Sequence, residues 1–120
     1  MVEEQCFPVT LNDNTCAALA RKGVKEALGD DVLINVEPWM ASETYSIYIA
    51  MYPGILAFTG IKDDEVGSGA NHHTPKFDIG EKGLVTGVES ALAYVLTILK
   101  EKPDLSSFKP ANLEELLKLV

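Results

Sequence analysis

Basic residues, cysteine and histidine are all scarce in this chain of 120 residues. Ten Lys and Arg residues stand against eighteen Asp and Glu residues, which gives a net charge of −8. A chain of this charge has no basic surface with which to neutralise phosphate groups. We therefore expect no nucleic-acid partner.

The two cysteines, Cys6 and Cys16, lack the Cys-x-x-Cys spacing of redox and zinc motifs, so neither a disulfide framework nor a thiolate metal site is predicted. Long apolar runs are also missing. The longest uncharged stretch, residues 44–61, is interrupted by Tyr-Pro-Gly at 52–54, whereas a bilayer span needs about 20 mostly apolar residues. The acidic N-terminus has no signal-peptide pattern. The sequence predicts one cytoplasmic domain with no membrane segment.

Three stretches have helical periodicity. Apolar residues recur at helical spacing from residue 15 to residue 28, with Asn12 predicted as the N-cap and Gly29 as the C-cap. Residues 42–51 form a second predicted helix, with Glu43 in its first turn. The widest apolar stripe runs from residue 84 to residue 99 and ends before Pro103.

Other stretches have strand character. Residues 32–36 alternate between apolar and polar, and residues 55–61 are almost continuously apolar, as in a strand that is covered on both faces. A first strand at residues 7–11 is also considered. The alternation with helices predicts an α/β fold, a small sheet with packed helices, which resembles part of a larger sheet.

Both histidines, His72 and His73, lie in the irregular segment 62–79 directly after the apolar run. Imidazole is a common metal ligand, and loops at the ends of strands line the sites of α/β folds. Adjacent histidines in a loop are nevertheless more often plain surface residues, so spacing alone leaves a metal site and an ordinary surface both open. The neighbouring Gly-Ser-Gly at 67–69 is predicted to be a flexible hinge.

The C-terminal segment is short and leucine-rich. Residues 104–110 are predicted to be a linker, and Asn112 to cap a last helical segment at 113–120. Because that segment is too apolar to remain in solvent, we expect it to dock on the domain or on a neighbouring chain.

Several ordered motifs resemble the end of the catalytic domain of the N-acyl-amino-acid amidohydrolases, which are hippurate hydrolase and aminoacylase relatives among the dinuclear zinc metallopeptidases. The resemblance covers residues 7–102. Its motifs are Pro-x-x-x-Asn-Asp at 8–13, Met-Ala-Ser-Glu-Thr-Tyr-Ser at 40–46, Tyr-Pro-Gly at 52–54, Phe-Thr-Gly at 58–60, His-His-Thr-Pro-Lys-Phe-Asp at 72–78, and the pairs Gly83-Leu84 and Gly87-Val88.

The resemblance implies roles for particular residues. His73 matches the last metal ligand in the family's His-x-Pro-x-Phe motif, and His72 would be a neighbour that supports it. Glu43 matches an acid that lines the site, although Thr44 and Tyr45 replace the Asp and Phe that follow in the family. The implied cofactor is zinc, and the implied reaction is hydrolysis of the amide bond of a small N-acyl amino acid.

The resemblance also implies that much of the site is missing. In the family, the first half of the catalytic domain supplies the remaining ligands and the general base. Residues 1–103 are accordingly interpreted as the C-terminal half of such a domain, and residues 104–120 as a linker and short helix. We expect the isolated chain to be inactive and to associate, either with the missing N-terminal half or with itself.

Two other hypotheses compete with the half-domain. The first is a non-catalytic α/β binding or assembly module retained from such an enzyme. The second is a self-contained metal-binding protein that uses both histidines. Because two imidazoles without further ligands bind a metal weakly, a zinc titration separates this hypothesis from the others.

Overall fold

The computed structural model describes residues 7–41 and 43–118, and its regular structure is helical. The helices are α1 (Asn14–Leu28), α2 (Tyr45–Met51), α3 (Lys82–Glu101) and α4 (Leu113–Leu117). No strand and no sheet forms among these residues, so the predicted α/β fold with a small sheet is wrong. The strand-like segments 7–11, 32–36 and 55–61 are all irregular.

The reason for this error lies in the hydrogen bonding of the segment 55–61. A strand needs a neighbouring backbone as its partner. Here the Asn12 side chain bonds both backbone groups of Leu56, and the Ile61 carbonyl accepts from Gly80 N and the Ser68 hydroxyl. In the segment 32–36 the apolar residues Ile34 and Val36 are exposed, so the alternating pattern there does not mark a face that packs on the core.

The N-cap of α1 lies one residue later than predicted. Asp13, and not Asn12, is the N-cap, and its carboxylate accepts from Cys16 N at 2.8 Å. At the other end, Gly29 has φ of 97° and donates its N–H to the Lys25 carbonyl, which confirms the predicted C-cap.

The centre of the fold is the contact between α1 and α3. Cys16, Ala20 and Val24 of α1 are buried against Ala93 and its neighbours in α3. A Cβ atom at Gly23 would lie 2.7 Å from the Ala93 carbonyl oxygen, so only glycine permits this close approach. Cys16 is almost fully buried in this contact, with 1% of the residue exposed.

The opposite end of α3 lies against the segment 59–61. A Cβ atom at Gly83 would lie 2.6 Å from the Gly60 carbonyl oxygen, and one at Gly87 would lie 3.3 Å from Thr59 Oγ1. The two glycines therefore let the segment approach the helix backbone, and this contact positions the segment that leads into the histidine loop.

The C-terminal segment docks on the fold, as predicted. Asn112 caps α4 by accepting from Glu114 N at 2.9 Å, and Leu116 is buried. Ala111 N donates to the Ala50 carbonyl at 2.8 Å, which ties this segment to α2. The domain boundary between residues 103 and 104 stays a prediction.

Candidate functional site

An open groove of about 610 Å³ brings the three predicted site residues together. Glu43, His72 and His73 all line it. Its other walls come from the segment before α1, from the stretch just before α2 and from the segment after α2, while helix α3 contributes no residue. Volumes of several hundred Å³ are typical of small-molecule pockets.

Local hydrogen bonds hold the histidine loop in shape. Thr74 Oγ1 donates to the Asn71 carbonyl at 2.8 Å, and Phe77 N donates to the Thr74 carbonyl at 3.0 Å. Within the first of these turns His73 has φ of 63°, a left-handed conformation that non-glycine residues adopt uncommonly. Such backbone conformations cluster at binding and active sites. The loop thus presents His73 in a conformation that the sequence pattern did not predict.

A continuous series of aromatic rings leads to the histidines. Phe58 and Trp39 lie with ring centroids 5.4 Å apart, Trp39 and His72 at 4.9 Å, and His72 and His73 at 4.6 Å. The Trp39 and His72 rings meet edge to face, with 87° between their planes. Because aromatic rings attract one another in this geometry, Trp39 fixes the position of His72. Sequence analysis did not single out Trp39 as a site residue.

The Glu43 carboxylate accepts hydrogen bonds at the start of α2. Its Oε1 atom accepts from Tyr45 N at 3.0 Å and from Thr44 Oγ1 at 3.3 Å. Glu43 was predicted to lie in the first turn of a helix over 42–51, but that helix begins at Tyr45; Ser42 lies outside the described residues. The side chain lines the groove and is at the same time engaged with the backbone of its own segment.

The described part of the chain does not contain a complete metal site. It holds no group of three or more His, Cys, Asp or Glu side chains placed to bind one ion. Zinc sites take about three or four protein ligands, so His72 and His73 fit part of a site only. Cys16 does not add to them, because it lies on α1, buried against α3, and that burial raises the pKa of its thiol.

Asn12 is the residue that connects the groove to α1, and sequence analysis assigned it a different task. Its Nδ2 donates to the Leu56 carbonyl at 3.0 Å, and its Oδ1 accepts from Leu56 N at 2.8 Å. The two residues of the Asn-Asp pair in the first motif therefore have different roles. Asn12 binds the segment after α2, and Asp13 caps α1. The motif marked both positions, but not which of them was the cap.

Comparison with known proteins gives relatives at low identity. The chain is 29% identical over 96 residues to IAA-amino acid hydrolase ILR1-like 2 from Arabidopsis thaliana, which covers 80% of this chain and 22% of that protein. It is 29% identical over 94 residues to Putative amidohydrolase YhaA from Bacillus subtilis, which covers 78% of this chain and 24% of that protein. Its distant relatives include amidohydrolases.

A third relative is named as a ligase and not as a hydrolase. The chain is 28% identical over 95 residues to Putative glutamate--cysteine ligase 2-3 from Rhodococcus jostii, where the match covers 12% of that protein. No family model matches the chain. No solved structure matches it either. The chain spans about a quarter or less of the relatives described here, so the activity of a whole relative does not transfer to it directly.

Proposed function

We propose that this chain is the C-terminal part of the catalytic domain of a metal-dependent amidohydrolase that hydrolyses N-acyl amino acids. In this proposal His73 is one metal ligand, His72 supports it, and Glu43 lines the site. The groove carries the proposal, because it gathers these three side chains from segments that are distant in the sequence. The names of the relatives from Arabidopsis thaliana and Bacillus subtilis support the reaction class.

A complementary polypeptide belongs to the proposal. His72 and His73 are too few ligands for a zinc ion, and the Glu43 carboxylate already accepts two hydrogen bonds from its own segment. The other ligands and the base that removes a proton from water must therefore come from outside these residues. The chain by itself is inactive in this proposal, and zinc is the cofactor of the assembled site.

A chimera tests the role of His73. Residues 7–102 replace the matched segment of the Bacillus subtilis amidohydrolase, and hydrolysis of N-benzoylglycine is measured with added zinc. We expect His73→Ala to lower kcat/KM more than about 100-fold and His72→Ala to lower it about 10- to 100-fold, as outer residues of metal sites do. Lys76→Ala, an exposed residue of the same loop, is the control and leaves kcat/KM unchanged.

Circular dichroism and zinc content show whether each chimera is folded and loaded. A folded, zinc-loaded chimera that stays fully active with His73→Ala would contradict the proposal. The chain alone provides a second test. Hydrolysis of N-benzoylglycine by the unaided chain, or zinc held by His73 with a Kd below about 1 μM, equally contradicts it, because two imidazoles without preformed partners bind weakly.

A non-catalytic binding or assembly module is the second candidate. The incomplete ligand set and the hydrogen bonds that engage Glu43 favour it. An inert chimera that is folded and zinc-loaded would support this candidate over the first.

A further inference from the structure

Trp39 is the one tryptophan of the chain, and its ring lines the groove beside the histidines. It contacts Phe58 and His72, with ring centroids 5.4 Å and 4.9 Å away. The ring planes meet at 63° with Phe58 and at 87° with His72, so both contacts have the edge-to-face geometry that aromatic rings favour. The proposed function gives Trp39 no role.

The backbone that carries the Trp39 and Phe58 rings is joined to the region of α1. Arg21 Nη2, on α1, donates to Asn35 Oδ1 at 2.8 Å and so holds the segment that leads to Trp39. The side chain of Asn12 makes two hydrogen bonds to the segment that leads to Phe58. The two rings therefore stand on segments that are tied to the most regular part of the fold.

The histidine loop has only local hydrogen bonds. Within the described part of the chain, the hydrogen bonds of residues 71–77 join members of that loop to one another. His72 and His73 are both exposed, and exposed side chains change rotamer within picoseconds to nanoseconds. The contact with Trp39 restricts this motion at His72, whose ring in turn contacts that of His73 at 4.6 Å.

We propose that Trp39 is a positioning residue for the histidine pair, because its ring holds the imidazole of His72 and, through it, the imidazole of His73. The consequence for a metal ligand rests on the proposed function, whereas the ring contact itself does not. A ligand that is already oriented loses less conformational freedom when it binds. A ring pair of this kind is worth about a 2- to 12-fold change in an equilibrium constant.

Direct contact with a substrate is the competing role for Trp39, since its ring is 55% exposed and lines the groove. The two roles predict different kinetics. A ring that binds the substrate equally in the ground state and the transition state changes KM, whereas a ring that orients a reacting group changes kcat. The edge-to-face contact with His72 favours positioning, because this contact forms without a substrate.

Nuclear magnetic resonance of the full chain tests the ring contacts without metal or substrate. We expect nuclear Overhauser effects between the ring protons of Trp39 and His72, and Hα–Hβ couplings of His72 that indicate one preferred rotamer. Trp39→Ala moves these couplings towards the rotamer average and weakens the ring contacts of His72 with His73, whereas Trp39→Phe retains both. Tyr52→Ala removes a similarly exposed aromatic ring outside the groove and changes neither, and circular dichroism confirms that each variant is folded.

The chimera with the Bacillus subtilis amidohydrolase tests the functional consequence. We expect Trp39→Ala to lower kcat for N-benzoylglycine about 2- to 12-fold with KM unchanged, and Trp39→Phe to restore most of it. Because Trp39 acts through His72, Trp39→Ala has no further effect in a chimera that already carries His72→Ala. A full additional loss in the double variant, or a change in KM alone, would overturn the proposal.

A failure of the proposed function is recognised separately, by a folded, zinc-loaded chimera that stays fully active with His73→Ala. The spectra of the full chain then decide the role of Trp39 by themselves. Histidine rings that lose their preferred rotamer and mutual contacts in Trp39→Ala support positioning. Rings that keep both in Trp39→Ala, or a folded parent chain without Trp39–His72 Overhauser effects, overturn it.

Discussion

At the scale of single residues, the Asn12 side chain joins the start of α1 to the segment that lines the groove. Its amide makes two hydrogen bonds to the backbone of Leu56 across a separation of 44 residues. A solvent molecule can replace each bond, but it cannot join the two segments. The contribution of Asn12 is therefore to both stability and the shape of the groove.

We predict that Asn12→Ala lowers the free energy of unfolding by about 1 to 2 kcal/mol, since each lost hydrogen bond contributes about 0.5 to 1.5 kcal/mol. Urea unfolding followed by circular dichroism measures the change. Asn14→Ala, one residue inside α1, is the matched control and stays within about 0.5 kcal/mol of the parent. Equal losses in the two variants would show that the Leu56 contacts contribute nothing.

The Cys16 thiol makes the free energy of unfolding depend on pH. Burial raises the pKa of its thiol, while the hydrogen bond with Tyr94 acts in the opposite direction. The folded pKa is above the unfolded value of about 8.5, so the unfolded chain loses this proton first as the pH rises. Stability contributed by the protonated thiol is thus complete below about pH 8.5 and declines above it.

We therefore predict that the free energy of unfolding falls between about pH 8.5 and pH 9.5, and that Cys16→Ala flattens this decline even though it lowers stability overall. Both chains carry Cys6→Ser, so that one thiol titrates. Urea titrations at several pH values measure the slope. Parallel slopes in the two chains would mean that another group causes the decline.

At the scale of elements, the contact of α1 with α3 depends on how closely the two helices approach. Alanine is normally favoured over glycine in a helix by about 1 kcal/mol. At Gly23 the added methyl group would meet the Ala93 carbonyl oxygen at 2.7 Å and the Thr97 hydroxyl more closely still. The steric cost here exceeds the gain in helix propensity.

We predict that Gly23→Ala lowers the free energy of unfolding by about 1 to 3 kcal/mol, the range of overpacked contacts. Thermal unfolding followed at the helix band of circular dichroism measures it. Ala18→Gly, at an exposed position of the same helix, is the control and costs about 1 kcal/mol through propensity alone. A Gly23→Ala chain more stable than the parent would show that the helices can move apart.

The elements also show where sequence patterns succeed. The helical stripes predicted α1 and α3 close to their observed bounds, because each has a wide apolar side and local end signals. The apolar segments 32–36 and 55–61 were misassigned as strands, because a strand exists only through a partner that its own sequence does not contain. Within the predicted hinge at 67–69, Ser68 is buried and its hydroxyl bonds the backbone at Ile61 and Asp63, contacts that the Gly-Ser-Gly pattern did not indicate.

At the scale of the whole molecule, the chain is flat and open. Its radius of gyration is 16.8 Å and its extents are 47 × 43 × 20 Å, whereas a compact domain of this length has a radius of about 14 Å. Its accessible surface is 9615 Å², against about 6,300 Å² for a compact monomer of this mass. Because many large aliphatic and aromatic side chains are exposed on this surface, association is expected.

We predict that small-angle scattering of the chain gives a radius of gyration nearer 16.8 Å than the compact value of about 14 Å. The measurement is made on a dilution series and extrapolated to zero concentration. A radius near the compact value would mean that the exposed segments collapse onto the exposed aliphatic side chains of α3 in solution.

The sequence and the tertiary structure each revealed different features of the candidate site. The motifs marked Glu43, His72 and His73 because the chemistry of imidazole and carboxylate groups is a property of the residues themselves. Their common groove, the left-handed backbone at His73 and the ring contact of Trp39 with His72 depend on segments far apart in the chain. The positions of α1 and α3 and the net charge were determined by the sequence alone, because periodicity and end signals act over a few neighbouring residues. The absence of a sheet among residues 7–41 and 43–118, the two hydrogen bonds between Asn12 and Leu56, and the exposure of the aliphatic side chains of α3 were decided by the tertiary structure, because each depends on whether a distant partner is present.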